Sequence, residues 1–140
     1  MIKDQQLSTL PMLLNILKNK IMEGQLKYFE EQGLSKQHIP YIIMLFNHQE
    51  GLTQKEMVDK IKLDKAHASR ALQELEEKKF VVKDMHKGYK KKHYLTDKGI
   101  KLAEKMKQKR DENLDNVFSK ISDEEKVTLE KILKKIIDHI

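Results

Sequence analysis

Between residues 53 and 99 the chain holds two helix starts followed at once by a lysine-rich hairpin, and few folds accommodate that order. Thr53-Gln54-Lys55-Glu56 reads as a capping box: the threonine hydroxyl accepts from the Glu56 N–H, and the Glu56 side chain returns to the Thr53 N–H. The helix it starts carries Met57, Val58 and Ile61 on its apolar side. Asp64 caps a second helix, its carboxylate set against the positive end of the helix dipole. With so little chain between them, the two helices must cross sharply, as in a helix-turn-helix. After Phe80 the pattern changes. Residues 81–86 and 90–95 are strand-like runs around Lys87-Gly88-Tyr89, with five lysines from position 83 to 92. A helix pair followed by a basic hairpin is the order of a winged helix-turn-helix.

The second helix separates its faces. Ala68, Ala71, Leu72 and Leu75 recur at spacings of three and four and share an apolar side. The same winding puts Ala66, Arg70, Gln73 and Glu77 opposite, flanked by His67 and Ser69. The first turns thus present small, hydrogen-bonding or cationic groups, and the last turns present Glu74, Glu76 and Glu77. That polarity suits a helix whose N-terminal half enters a major groove. Arg70 has the planar fork that matches O6 and N7 of guanine, and Ala66 is small enough to lie against a thymine methyl. Taken alone, such a face is equally a solvated one; the basic hairpin behind it favours double-stranded DNA. The candidate contacts are Thr53 and Gln54 on the first helix and Lys65, Ala66, His67, Ser69 and Arg70 on the second. Lys87, Tyr89, Lys90, Lys91 and Lys92 are the candidates on the hairpin.

These pieces continue into Leu95-Thr96-Asp97-Lys98-Gly99, and Gly33-Leu34-Ser35 enters an upstream helix. In that order they resemble the MarR family of bacterial transcriptional regulators, over nearly all of the chain. The resemblance implies a homodimer of triangular shape, joined through the first, fifth and sixth helices. Residues 1–34 and 100–140 would then supply the dimerisation helices of a single MarR-like chain, and 35–99 the DNA-binding lobe. It also implies a cleft for small aromatic or amphipathic effectors, on segments that carry Tyr28, His38 and Tyr41. Packing between helices is the competing reading of those three rings. Two departures stand out. The family's Asp-x-Arg near the wing tip is replaced by Lys87-Gly88-Tyr89-Lys90 in a shorter wing, and its glycine at the end of the recognition helix is Lys79. A left-handed residue with a Cβ costs roughly 1 kcal/mol, so the helix is expected to end differently.

The rest reads as helix, giving a mainly α fold of about six helices with a small two-stranded β-wing. Leu10, Leu13, Leu14, Leu17, Ile21, Leu26 and Phe29 make a stripe in which Pro11 is tolerable only in the first turn. Ser35 caps a second helix with Ile39, Ile42, Ile43, Leu45 and Phe46 inside, and Pro40 points to a start at Ile39 or a loose first turn. Gly51-Leu52 ends it and pairs with the wing as one short strand. Ser122-Asp123-Glu124-Glu125 is a second capping box, starting a terminal helix too apolar to stand alone. Leu10, Leu13, Leu129, Ile132, Leu133, Ile136, Ile137 and Ile140 are the candidate dimer seam. Mutual cover within one chain is the alternative.

Charge is unevenly placed. The chain of 140 residues carries a net charge of +6, with 13 basic and 8 acidic residues from 53 to 98 against 15 and 14 elsewhere. The excess sits in the segment expected to meet phosphates. There are no cysteines, as suits a reducing cytoplasm and rules out a thiol sensor. No apolar run reaches a membrane span, and the N-terminal residues lack a signal-peptide core. His38, His48, His67, His86, His93 and His139 show no metal-binding spacing, and no glycine loop cradles a phosphate, so neither an enzyme nor a cofactor is expected. The competing classes are a winged helix that binds RNA or a protein, and a metal-dependent sensor.

Overall fold

Six α-helices and three short strands form among the described residues, 7–84 and 91–140, of this computed structural model. In chain order they are α1 (Leu10–Glu31), α2 (Ile39–Asn47), β1 (Leu52–Thr53), α3 (Gln54–Ile61) and α4 (Lys65–Glu77). Then come β2 (Val81–Asp84), β3 (Lys92–Leu95), α5 (Asp97–Val117) and α6 (Asp123–Ile137). Both prolines stand second in their helices, Pro11 in α1 and Pro40 in α2, where an N–H would have no intrahelical partner. A 3-10 turn, Lys36–His38, leads into α2 and absorbs the irregularity that Pro40 imposes.

The chain divides into two units, one of residues up to Gly24 with Lys109–Ile140, the other of Gln25–Gln108. The second unit is larger than residues 35–99. It takes in the end of α1 and the start of α5 because Phe29, Leu102, Ala103 and Met106 are buried in its core. The amide of Gln25, itself buried, donates to the Met106 carbonyl at 3.1 Å and ties those two segments together. Tyr41, Ile42, Leu45, Met57, Leu72 and Leu75 complete the interior. Ala68, Ala71, Leu72 and Leu75 are all buried, as their spacing requires. Ile43 is not inside as expected: α2 buries positions 39, 41, 42, 44 and 45, and the helical winding turns Ile43 to solvent.

The wing is a three-stranded antiparallel sheet in the order β1-β3-β2, not a hairpin alone. Leu52 pairs with His93 and Thr53 with Lys92, so the short extra strand lies one residue beyond Gly51-Leu52. Gly51 makes the turn possible with a φ of +89°, and a Cβ there would sit 2.5 Å from the Tyr94 ring. Residues 85–90, which include Lys87, Tyr89 and Lys90, lie outside the described residues.

Local capping follows the sequence closely, with two corrections. Asp64 accepts from the His67 N–H at 2.6 Å, and Ser122 and Glu125 form both bonds of their box. Thr53 accepts from the Glu56 N–H at 3.1 Å, but the Glu56 carboxylate accepts from the threonine hydroxyl rather than from its N–H. Thr53 is already committed to the sheet, which leaves half of the expected box. The second correction concerns α4. It ends in the left-handed manner although no glycine is present: Lys79 has a φ of 67°. Its N–H donates to the Glu76 carbonyl at 3.0 Å, and the Phe80 N–H donates to Leu75 at 2.9 Å, a Schellman ending. Lys79→Gly should therefore raise stability by about 1 kcal/mol, read as a higher urea midpoint at an unchanged slope. A lower midpoint would show that the lysine side chain contributes more than its backbone strain removes.

In the other unit, the Asn113 amide donates to the carbonyls of Lys20 and Ile21 and joins α1 to α5. Leu10, Leu13, Leu14 and Ile16 on α1 are exposed, as are Ile132, Leu133, Ile136 and Ile137 on α6. Ile140 beyond α6 is exposed too, while Leu129 is half-buried. No helix among the described residues is long and apolar enough to cross a membrane.

Candidate nucleic-acid interface

The outer face of α4 is open. Lys65, Ala66, Ser69, Arg70 and Gln73 are exposed and His67 is half-exposed, while the opposite side is the core. At the start of α3, the Gln54 amide donates to the Lys65 carbonyl at 3.4 Å, linking the two helix beginnings. Thr53 is largely buried as cap and strand residue, whereas Lys91 is exposed and Lys92 half-buried on β3.

Besides Gln54, three side chains from outside α4 grip its own side chains by polar contacts. His38 is buried, and its Nδ1 accepts from the Ser35 N–H at 3.0 Å. A backbone N–H can only donate, so Nε2 carries the hydrogen directed at the Glu74 carboxylate, 2.7 Å away. Tyr41, fully buried, places its hydroxyl 2.8 Å from Nδ1 of His67, and the two rings stack with centroids 5.9 Å apart. Burial, and then the negative charge of Asp64, push the Tyr41 pKa above its ordinary value, so the phenol keeps its hydrogen. From β3, buried His93 brings Nε2 to 3.3 Å from the Glu76 carboxylate. Its Nδ1 is buried without a hydrogen bond. Burial holds the His93 pKa below the usual histidine value, Glu76 opposes that shift, and Lys83 adds to it. His38 and Tyr41, expected on an effector cleft, thus face the interior and hold α4, and Tyr28 packs half-buried against the same core.

The residues closing the wing have a definite job. Thr96 accepts from the Gly99 N–H at 3.1 Å, capping α5, and its hydroxyl donates to the Lys79 carbonyl at 2.6 Å. Its own N–H donates to Phe80 at 3.0 Å. The Lys98 ammonium donates to the Lys78 carbonyl at 2.9 Å and lies 4.3 Å above the Phe80 ring, a cation–π contact. Gly99 is where the backbones meet, since a Cβ would fall 2.2 Å from the Phe80 carbonyl oxygen. Leu95-Thr96-Asp97-Lys98-Gly99 therefore fastens the exit of the wing to the end of α4.

The MarR family model matches residues 41–92, from α2 to the first residue of β3. Over that segment the chain is similar to the MarR family, and its fold is a winged helix. Its fold agrees with solved structures over almost the whole length. A MarR transcriptional regulator from Methanosarcina mazei Go1 is 22% identical with a TM-score of 0.79, covering 99% of this chain and 92% of that one. The YusO protein from Bacillus subtilis is 20% identical with a TM-score of 0.74 over all of both chains. MepR from S. aureus in complex with DNA is 24% identical with a TM-score of 0.73, covering 93% and 97%. No curated protein matches the sequence.

Sequence reasoning missed the grips on α4. His38, Tyr41 and His93 lie 36, 26 and 17 residues from the side chains they meet, and no linear spacing marks such pairs. Among the described residues no three histidine or acidic side chains gather as a metal site would need.

Proposed function

We propose that this protein is a sequence-specific DNA-binding transcriptional regulator that represses as a homodimer on a pseudo-palindromic operator. One observation carries the reading. The exposed N-terminal half of α4 presents Lys65, Ala66, Ser69 and Arg70, while Glu74 and Glu76 further along are drawn to His38 and His93. The side chains a major groove accepts are thus free, and two carboxylates that would repel phosphates are engaged within the fold. The basic excess from 53 to 98 supports the same reading, as does the fold shared with MepR, a structure that holds DNA. A two-fold dimer would present two α4 helices to half-sites roughly 34–36 Å apart. A small aromatic or amphipathic effector would act by favouring a spacing that no longer fits, so ligand and DNA must weaken each other by one factor.

The test uses duplexes selected by the protein from a random pool. Arg70→Ala should weaken the selected duplex by about 1–3 kcal/mol and relax preference at one base pair per half-site. Equal loss on selected and scrambled duplexes would make Arg70 a phosphate contact, and a wild-type chain that selects no sequence would end the reading.

A further inference from the structure

We infer that Tyr41, which no solvent reaches, is a positioning residue for DNA recognition: its hydroxyl fixes the His67 imidazole so that Nε2–H is offered outward as a set donor. This rests on the DNA-binding reading above. His67 stands third in α4, where its backbone N–H is already taken by the Asp64 cap. The ring has two nitrogens, and the Tyr41 hydroxyl occupies Nδ1 at 2.8 Å. A phenol that donates there selects the tautomer with hydrogen on Nε2. Among the described residues nothing accepts from that Nε2, and it is not among the buried atoms left without a partner, so it reaches solvent. Stacking on the Tyr41 ring at 26° removes the remaining rotation of the imidazole plane.

His67 and Arg70 are three residues apart and therefore neighbours on one surface of α4. Two adjacent donors of fixed direction suit two adjacent acceptors, such as O6 or N7 of purines or O4 of thymine. A free histidine on the same helix would sample both tautomers and several rotamers, and would give up part of its discrimination in being ordered on DNA. The phenol is already buried, so the ordering is completed in the folded chain before any DNA arrives.

The experiment is a double-mutant cycle on the duplex selected by the wild-type protein, with a scrambled duplex alongside. Tyr41→Phe keeps the buried ring and deletes the donor; His67→Ala removes a half-exposed side chain. Tyr41→Phe should weaken the selected duplex about two- to tenfold, leave the scrambled one unchanged, and add nothing further when His67 is already alanine. The nitrogen-15 spectrum of the imidazole, recorded without DNA, should show Nδ1 losing its hydrogen bond in Tyr41→Phe. Additive losses, equal losses on both duplexes, or an unchanged Nδ1 signal would each overturn the inference while leaving the DNA-binding reading in place. Failure of the wild-type protein to prefer any duplex would overturn both.

Discussion

Gly99→Ala is expected to destabilise the unit of Gln25–Gln108 by about 3 kcal/mol, the upper part of the overpacking range. The sign makes this informative. A glycine-to-alanine change inside a helix ordinarily stabilises, by up to about 1 kcal/mol. Here the added carbon would fall 2.2 Å from the Phe80 carbonyl oxygen and 3.1 Å from the Leu95 side chain. That carbonyl cannot retreat freely, because it also accepts from the Thr96 N–H. Either the start of α5 shifts or the Schellman ending of α4 opens, and both loosen the wing from α4. Urea unfolding followed by far-ultraviolet circular dichroism measures the change directly. A midpoint equal to or above that of the wild type would mean that the two backbones are not so close in solution.

Ile136→Asp combined with Ile137→Asp should convert a dimer into a folded monomer and lower affinity for the selected operator by about 100-fold or more, since two half-site contacts would cease to be linked. The two isoleucines are 53% and 60% exposed within their own chain, so aspartate there does not disturb the interior of a single subunit. Leu10, Leu13, Leu14 and Ile16 are likewise open on α1. Apolar exposure on this scale marks a surface that meets another. In the dimer two carboxylates per subunit would be taken out of water with no partner, which dissociation avoids. Sedimentation velocity and gel shift read the two effects separately. A wild-type protein that sediments as a monomer would refute the seam, and so would a double variant that remains dimeric.

The winged helix-turn-helix was legible in the sequence because each of its signals is local. Asp64 and Thr53 announce their helices through bonds to the third residue onward, and the period of Ala68, Ala71, Leu72 and Leu75 fixes which side of α4 faces the core. The third strand was anticipated from Gly51-Leu52, one residue early, since its register depends on pairing with His93 some forty residues on. Lys79 was expected to divert the end of α4 because intrinsic strain was the only quantity visible. The structure shows the tertiary bonds that outweigh it: Thr96 to the Lys79 carbonyl and the Lys98 ammonium to Lys78. Ile43 was placed inside by counting apolar residues, although the winding of a nine-residue helix leaves that position outside. The tips of His38 and Tyr41 meet Glu74 and His67, and an aromatic with a polar tip looks the same in sequence whether that tip meets a ligand or another helix.

The three grips on α4 also divide its residues by how freely they can be replaced. His67, Glu74 and Glu76 are bound to Tyr41, His38 and His93, so a change at any of them reaches into α2, the turn before it or the wing. Ala66, Ser69, Arg70 and Gln73 have no such obligations and stand in the open. A library confined to those four positions would vary the surface offered to base edges while the helix keeps its seat. Retargeting to new operators could then proceed with little loss of folding stability. In lineages that carry this scaffold, operator preference would be able to drift faster than the fold beneath it.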